Sequence, residues 1–559
     1  MGTTFIPLTQ IRAHGRAAVV IALPAAVAFI ILLALGEGQA IVTGALGVGV
    51  IVLLARRLGL TRADSSAAWI VAASLSGHLL LLVAVHLVLV SAGRGGFVTG
   101  DDYGYFDLSS RLAQHLHGVD VPINWSAEAY LINNYFVQLE TWLFYLVGPH
   151  VLVVKVINVV MLHISALLLY DVGRRRFSRG AATVATALTL FFPSLTLWSV
   201  LNLKDVLTLF LIVVVLSSAS RYLDRPAFRW LILAVATLVV LEGVRRYVFL
   251  LLALLLPLGV ILSVRSVRDL RPRLPQLVAT VVVCGVLMAV SGSGFLGMKL
   301  LNVQTFADME NSRGFMAAGA RTAIGDAALP QIAKAGDHFV VVTEAPAVAS
   351  SPSSAPSGPI PTPRVFVVQP FTRILLEGSA DAQQAISGKG QFSQFVVVRP
   401  GDIVVVDGAP VSSAPPQPLV VGAERRPAPE IRTDESLSTP SVISRTLAYA
   451  PTGLAYALFA PFPWAASGGS ERLALIDMAV WYLALVAAIA TVWQQRRSLR
   501  FIALPLLYII GVLVILALFE GNVGTLFRHR AMVAPIVVLL AGPTLSRWLP
   551  SRIRGSVGA

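Results

Sequence analysis

Charge is scarce in this chain of 559 residues: Asp, Glu, Lys and Arg make up 13% of it, about half of the roughly 25% carried by a soluble globular domain. Apolar residues reach 56%, and runs near the ~20 residues needed to cross a bilayer recur along the chain. So many such runs exceed what one water-soluble core can bury. Cysteine is nearly absent. The single Cys284 lies within an apolar run, which excludes an intrachain disulfide and a cysteine-based metal site. There is no P-loop, no G-x-S-x-G, no H-E-x-x-H and no dinucleotide fingerprint, so ATP-driven chemistry within this chain is not expected. A small-residue cleavage site is missing after the first apolar segment, and a second span soon follows, so no cleavable signal peptide is expected. The formal charge of +14 does not imply a nucleic-acid partner: the basic residues form short clusters between apolar runs, with neither aromatic interleaving nor zinc spacing.

What is present reads as an all-α polytopic membrane protein of about 12 transmembrane helices. The apolar runs are 17–35, 40–55, 67–90, 149–171, 180–200, 206–220, 230–244, 247–264, 276–293, 473–493, 501–519 and 531–549. Arg12/Arg16, Arg56/Arg57/Arg62, Arg174/Arg175/Arg176/Arg179, Arg221/Arg225/Arg229, Arg265/Arg268/Arg271/Arg273, Arg496/Arg497/Arg500 and Arg552/Arg554 fall on alternate connections or termini. The positive-inside rule makes that side cytoplasmic. Both termini are then cytoplasmic, and residues 91–148 and 294–472 lie outside.

Four regions follow. Residues 1–66 hold two helices and a cytoplasmic loop. Residues 67–293 form a membrane core with the acidic outer loop 91–148. Residues 294–472 are an extracytoplasmic region, and 473–559 hold three helices and a cytoplasmic tail. Within the third region, Leu300 to Ala333 reads as helical, while 344–363 and 408–440 read as Pro/Ser-rich linkers. Between these linkers, β-branched runs separated by Gly and Pro predict a small strand module over 364–407. Tyr130 to Phe144 is aromatic-rich and amphipathic, as suits a helix at headgroup level.

Three short outer connections are charged although topology requires no charge there: Lys204-Asp205, Glu242 with Arg245-Arg246, and Glu520 with Arg528-His529-Arg530. Guanidinium pairs suit a phosphate or pyrophosphate, whereas snorkelling alone also places arginines at an interface. Lys204-Asp205 also reads as a neutralising pair. In the acidic loop, Asp101-Asp102 sits where a carboxylate can deprotonate a hydroxyl or hold a divalent ion; a helix N-cap acid is the simpler alternative. The intramembrane histidines His78, His86 and His163 have no acidic partners in the sequence and read as structural. Lys155 and Asp477, each near the outer end of a span, are left open between structure and ligand contact.

The stretch Gly100-Asp101-Asp102-Tyr103-Gly104-Tyr105 resembles the first outer loop of the GT-C class of membrane glycosyltransferases, which use polyprenyl-phosphate-linked sugars. Phe192-Pro193-Ser194 through Leu203-Lys204-Asp205, Ala450-Pro451-Thr452-Gly453 with Pro461-Phe462-Pro463-Trp464, and Gly521-Asn522-Val523-Gly524-Thr525 with Arg528-His529-Arg530 are similar to stretches of bacterial relatives. The resemblance spans roughly 91–320 and 445–548. Two extra helices before the acidic loop and the insert at about 340–440 depart from it.

The resemblance implies a transferase that moves a sugar from a polyprenyl-phosphate donor to an extracytoplasmic acceptor: a cell-envelope glycan, a lipid or a protein. Asp101 or Asp102 would be catalytic, with Arg245, Arg246, Arg528, Arg530 and Lys204 binding the donor phosphate. No cofactor is required; a divalent cation (Mg or Mn), if used, would sit on Asp101 and Asp102. The lipid bilayer, the donor and the acceptor are the expected partners. Abundant Ala, Arg, Gly and Val suit a high-GC bacterium, hence its plasma membrane. A lipid-linked glycan polymerase or ligase, a lipid-glycan transporter and a membrane scaffold are the competing readings.

Overall fold

The computed structural model describes residues 8–60, 65–125, 128–264, 270–300, 439–464 and 469–549, together with Thr305, Met309, Arg313 and five short strands between 339 and 406. The two linkers, most of the helix expected over Leu300–Ala333, and Arg62, Arg265, Arg268, Arg552 and Arg554 lie outside the described residues. The chain divides into two compact units. The larger, over 1–121, 133–326 and 442–559, is helical throughout its described part apart from turns.

Most of its helices follow the apolar runs. They are α1 (Leu8–Ala34), α2 (Gly38–Arg57), α3 (Ser65–Ser91), α4 (Gly100–Leu116), α5 (Tyr135–Val147), α6 (Val151–Arg176), α7 (Arg179–Leu190) and α8 (Pro193–Ser199). Then come α9 (Lys204–Asp224), α10 (Phe228–Val244), α11 (Arg246–Leu262), α12 (Leu274–Val290), α13 (Thr439–Phe459), α14 (Gly469–Gln494), α15 (Ala503–Phe519), α16 (Val523–Arg530) and α17 (Ala534–Trp548).

Each of the twelve predicted runs carries a helix, but they are not alike in length. Six helical stretches are long and apolar enough to cross a bilayer, and up to eight if two bent pairs each count as one span. The bent pairs are α7 with α8, at 58°, and α16 with α17, at 55°. In the first, Pro193 follows the break and cannot supply the amide hydrogen that a continuous helix would need. Helices α11 and α15, at 17 residues each, are apolar but shorter than those six. This is a multi-pass membrane protein.

Helices α6 and α9 form the buried centre, each with most of its apolar length inside the protein. They pack on each other, and α9 continues against α10. Helix α17 is buried from Ala534 to Leu545 and crosses α7 closely, because Gly542 lies where a Cβ would come within 2.5 Å of the Ala181 carbonyl oxygen. Membrane helices gain their attraction from this kind of close approach, since lipid offers no hydrophobic driving force between them.

One end of the bundle collects the arginine clusters that follow α6 and α9. Asp171 bonds Arg174, Arg175 and Arg221, while Asp224 bonds Arg175 and Arg176. Two clusters with two apolar runs between them thus share one ion network.

The second unit comprises Pro122–Ile132 and Ala327–Ser441. In it, β1 (Phe339–Val341), β2 (Val365–Val368) and β5 (Ile403–Val406) form a sheet in the order β1-β5-β2, with β1 antiparallel and β2 parallel to β5. The strands β3 (Arg373–Leu376) and β4 (Phe395–Val398) pair in parallel.

Candidate active site

The Asp pair opens α4. Thr99 caps that helix, its side chain accepting a hydrogen bond from the Asp102 amide at 3.1 Å. Acids in a first turn are favoured by the positive end of the helix dipole. The two carboxylates then diverge. Asp102 is fully buried, and its oxygens accept from the Val98 amide at 3.0 Å and the Asn202 amide at 2.8 Å. It therefore clamps the loop before α4 to the turn before α9. Burial raises its carboxyl above the usual range, while Lys155, the two amides and Arg528 pull it down. Asp101 points the other way, with its side chain 59% exposed and Oδ2 accepting from Arg528 Nη1 at 2.5 Å.

Behind Asp102 lies a polar knot with no marked signature in the sequence. Asn202 Nδ2 donates to Glu140 Oε1 at 2.8 Å and to the Asp102 carbonyl at 3.3 Å. Ser109 Oγ donates to Glu140 Oε2 at 3.1 Å. Glu140 sits on the aromatic helix α5 and is buried. Desolvation pushes its carboxyl up to about 8, with Asp102 adding to the rise and the bonds from Asn202 and Ser109 opposing it. The only signal for it in the sequence was a lone acid in an otherwise apolar and aromatic stretch. Lys155 is also buried, with Nζ donating to the Gly96 carbonyl at 2.5 Å and lying 5.6 Å from the Phe97 ring centre.

The charged connections meet Asp101. Arg528 Nε donates to Asp205 Oδ2 at 2.6 Å. The other oxygen, Asp205 Oδ1, accepts from Arg245 Nη2 at 2.5 Å, and Arg245 Nη1 donates to the Tyr247 hydroxyl at 2.7 Å. The Lys204 ammonium stands 5.6 Å from the centre of the Tyr105 ring. Asp101–Arg528–Asp205–Arg245 is thus one alternating chain of charges, drawn from three connections and the acidic loop. Two nitrogens in it, Arg528 Nη2 and Arg245 Nε, are buried without a hydrogen-bond partner among the described residues. Beside them His529 Nδ1 bonds Glu520 Oε1, and the Tyr449 hydroxyl donates to the Glu520 carbonyl at 3.0 Å.

Two of the expected phosphate ligands stand apart from this cluster. Arg530 is 1% exposed. Its guanidinium donates to the carbonyls of Ala457 (3.0 Å), Ala460 (2.5 Å) and Tyr456 (3.3 Å), and lies 5.4 Å from the Trp481 ring centre. It serves the end of α13 and has no open face for a phosphate. Arg246 is exposed and bonds the Ser291 carbonyl and, at 3.2 Å, Ser293 Oγ. Asp477 also has a structural task, since Oδ1 accepts from the Ser194 amide at the start of α8, at 2.7 Å. His78 and His163 meet edge to face with centroids 5.2 Å apart and share Ser74.

Each Asp102 oxygen accepts one backbone amide inside the protein, while the exposed Asp101 is bonded to Arg528. Among the described residues no group of three or more His, Cys, Asp or Glu gathers as a metal site.

Residues 132–291 match the family model for dolichyl-phosphate-mannose-protein mannosyltransferase. This is a GT-C family, and the resemblance read from the sequence is thereby shown over that segment. The matched segment contains Glu140, Asn202, Lys204, Asp205, Arg245 and Arg246 and stops short of Asp101, Asp102 and Arg528 on either side. Searches of curated proteins and of solved structures found no match. The match supports a GT-C-type membrane glycosyltransferase in general.

Proposed function

We propose that this protein moves a sugar from a polyprenyl-phosphate donor to a hydroxyl acceptor on the extracytoplasmic face of a bacterial plasma membrane. The observation that carries the reading is the chain Asp101–Arg528–Asp205–Arg245. It sets one solvent-facing carboxylate beside a guanidinium with unused donors. In the reaction the acceptor oxygen forms a bond to the anomeric carbon and the bond from that carbon to the phosphate oxygen breaks. The acceptor's proton passes to Asp101, and the electron pair leaves with polyprenyl phosphate. Arg528, with Lys204 and Arg245 behind it, neutralises the charge that develops on the departing phosphate, which is where preorganised donors lower a barrier most. The prenyl tail stays in lipid.

Of the two adjacent acids, Asp101 is the base and Asp102 the clamp. Of the expected phosphate ligands, Arg528, Arg245 and Lys204 act at the site and Arg530 does not. On this reading the twelve apolar helices are twelve crossings, both termini are cytoplasmic, and the strand-bearing segment 364–407 faces outward. The identity of the sugar in the matched family, mannose, is a starting point for the donor panel.

The test is sugar transfer by purified protein in lipid, with a panel of polyprenyl-phosphate sugars and mixed cell-envelope acceptors. Wild type transfers, and Asp101→Asn falls by at least about a hundredfold, the scale of a general base. Equal transfer by both would remove Asp101 from the chemistry. Absence of transfer from every competent donor would discard the enzyme reading in favour of a transporter or scaffold.

A further inference from the structure

Arg528 uses its guanidinium unevenly. Nε is given to Asp205 at 2.6 Å, Nη1 to Asp101 at 2.5 Å, and Nη2 is buried without a partner among the described residues. The two carboxylates that hold it differ sharply in exposure, 1% for the Asp205 side chain against 59% for Asp101. That difference decides which contact can be given up. Releasing Asp205 would take from a buried carboxylate one of its two guanidinium partners, the costly way to break an ion pair. Releasing Asp101 returns an exposed carboxylate to water and leaves Arg528 still paired with Asp205.

We propose that Asp205 is the positioning residue of the site, and that Asp101 and the donor's phosphate exchange on the edge of Arg528 that Asp205 presents. Capture of the donor is then what frees Asp101 to act as a base. This rests on the function proposed above and adds the order of events to it. The exchange balances in charge, because a sugar phosphodiester and a carboxylate each carry one negative charge. It also gains in geometry. Asp101 occupies Nη1 alone, whereas a phosphate has oxygens enough for Nη1 and the idle Nη2 together, the paired contact at which guanidinium excels. Before the donor arrives, one oxygen of the base, Oδ2, is held by Arg528. Afterwards the phosphate and the base lie on neighbouring sides of one fixed arginine.

The test reads the Asp101 carboxylate directly. Full-length protein in lipid nanodiscs is treated with a water-soluble carbodiimide and glycinamide, and labelling at Asp101 is measured by peptide mass spectrometry. The exposed Asp120 serves as the reference for reagent consumed by phosphate. Saturating polyprenyl phosphate is expected to raise Asp101 labelling, relative to Asp120, at least about threefold, and the unphosphorylated polyprenol to leave it unchanged. In Arg528→Gln, labelling is high from the start and does not respond to the lipid. In Asp205→Asn, the polyprenyl phosphate concentration giving half the response rises about tenfold, and Asp205→Glu recovers part of that loss. A purely structural Asp205 would lower the unfolding temperature without moving that concentration. Wild-type labelling that is unchanged or reduced by polyprenyl phosphate overturns the exchange, and this needs no variant to fold. If sugar transfer is nevertheless observed, the glycosyltransferase reading stands without the exchange. A labelling response with no transfer from any donor overturns that reading and keeps the exchange.

Discussion

Exchanging a carboxylate for an amide of the same shape separates the roles of the two adjacent acids. At Asp101 the change removes a proton acceptor that faces solvent and makes one side-chain contact, with Arg528. Transfer is expected to collapse while the unfolding temperature in detergent moves little. At Asp102 both oxygens receive backbone amides inside the protein, and an amide side chain offers only one acceptor oxygen. Asp102→Asn should therefore cost about 1–3 kcal/mol of stability, the penalty for a buried donor left unmatched, seen as a lower unfolding temperature. Equal destabilisation by the two variants would contradict this division. Glu140 supplies a pH dependence of its own. Its carboxyl rises from an ordinary 4.5 to about 8 in the folded protein. Between those values the folded chain holds a proton that the unfolded chain has released, so stability falls as pH rises through the window. Below it both states are protonated and Glu140 adds no slope. Glu140→Gln should flatten the decline in unfolding temperature between about pH 5 and 8 and leave the variant more stable than wild type at pH 8. An unaltered slope would mean that Glu140 ionises normally. None of these distinctions could be read from the sequence. Asp101 and Asp102 look alike until the turn at Asn202 arrives from 100 residues away, and Glu140 looks like one acid on an interfacial helix.

At the scale of elements, apolar periodicity and length located every helix of the membrane unit that corresponds to an expected run. The bends were not legible, because their cause is in the packing. Ser194 at the start of α8 takes its acceptor from Asp477 on α14, and α17 lies against α7 where Gly542 leaves room only for backbone. A similar approach joins α13 to α15: a Cβ on Gly453 would fall 1.9 Å from the Ala517 carbonyl oxygen. Main chain cannot yield there as a flexible side chain can. Gly453→Ala is expected to lose about 1–3 kcal/mol, the range of overpacked sites, with loss of monodisperse protein on extraction. Gly49→Ala is the control, since nothing lies within 4 Å of its added Cβ. Similar behaviour of the two variants would show that the α13–α15 contact is not tight. Arg530 parts from Arg528 at this scale too. From the sequence it belongs with Arg528 as a second phosphate ligand, but two residues along a helix amounts to about 200° of rotation. One arginine consequently faces the cluster and the other faces the end of α13.

At the scale of the whole molecule, a topology experiment has an unusually clean starting point. Cys284 is the single cysteine and is buried, so Cys284→Ala provides a cysteine-free background. Single substitutions Gln39→Cys, Asp120→Cys and Arg246→Cys, all at exposed positions, should react with a membrane-impermeant maleimide from outside intact cells. Ser178→Cys, Arg225→Cys and Arg497→Cys should react only after the membrane is opened. That pattern is what twelve crossings require. Outside labelling at Ser178 or Arg225 would favour one of the lower counts, in which short or bent helices re-enter instead of crossing.

Composition and the alternation of arginine clusters were enough to establish a multi-pass membrane protein, because the cost of burying charge in hydrocarbon acts on every residue independently of its neighbours in space. They were also enough to mark the three charged connections as anomalous, since topology supplied no reason for them. Which charges meet was decided by tertiary structure alone. Asp101, Asp205, Arg245 and Arg528 come from four separate stretches. Whether a carboxylate becomes a base, a clamp or an anchor for arginine depends on how much water it keeps and which donors reach it. Those are properties of the packed bundle, which one-dimensional spacing does not encode.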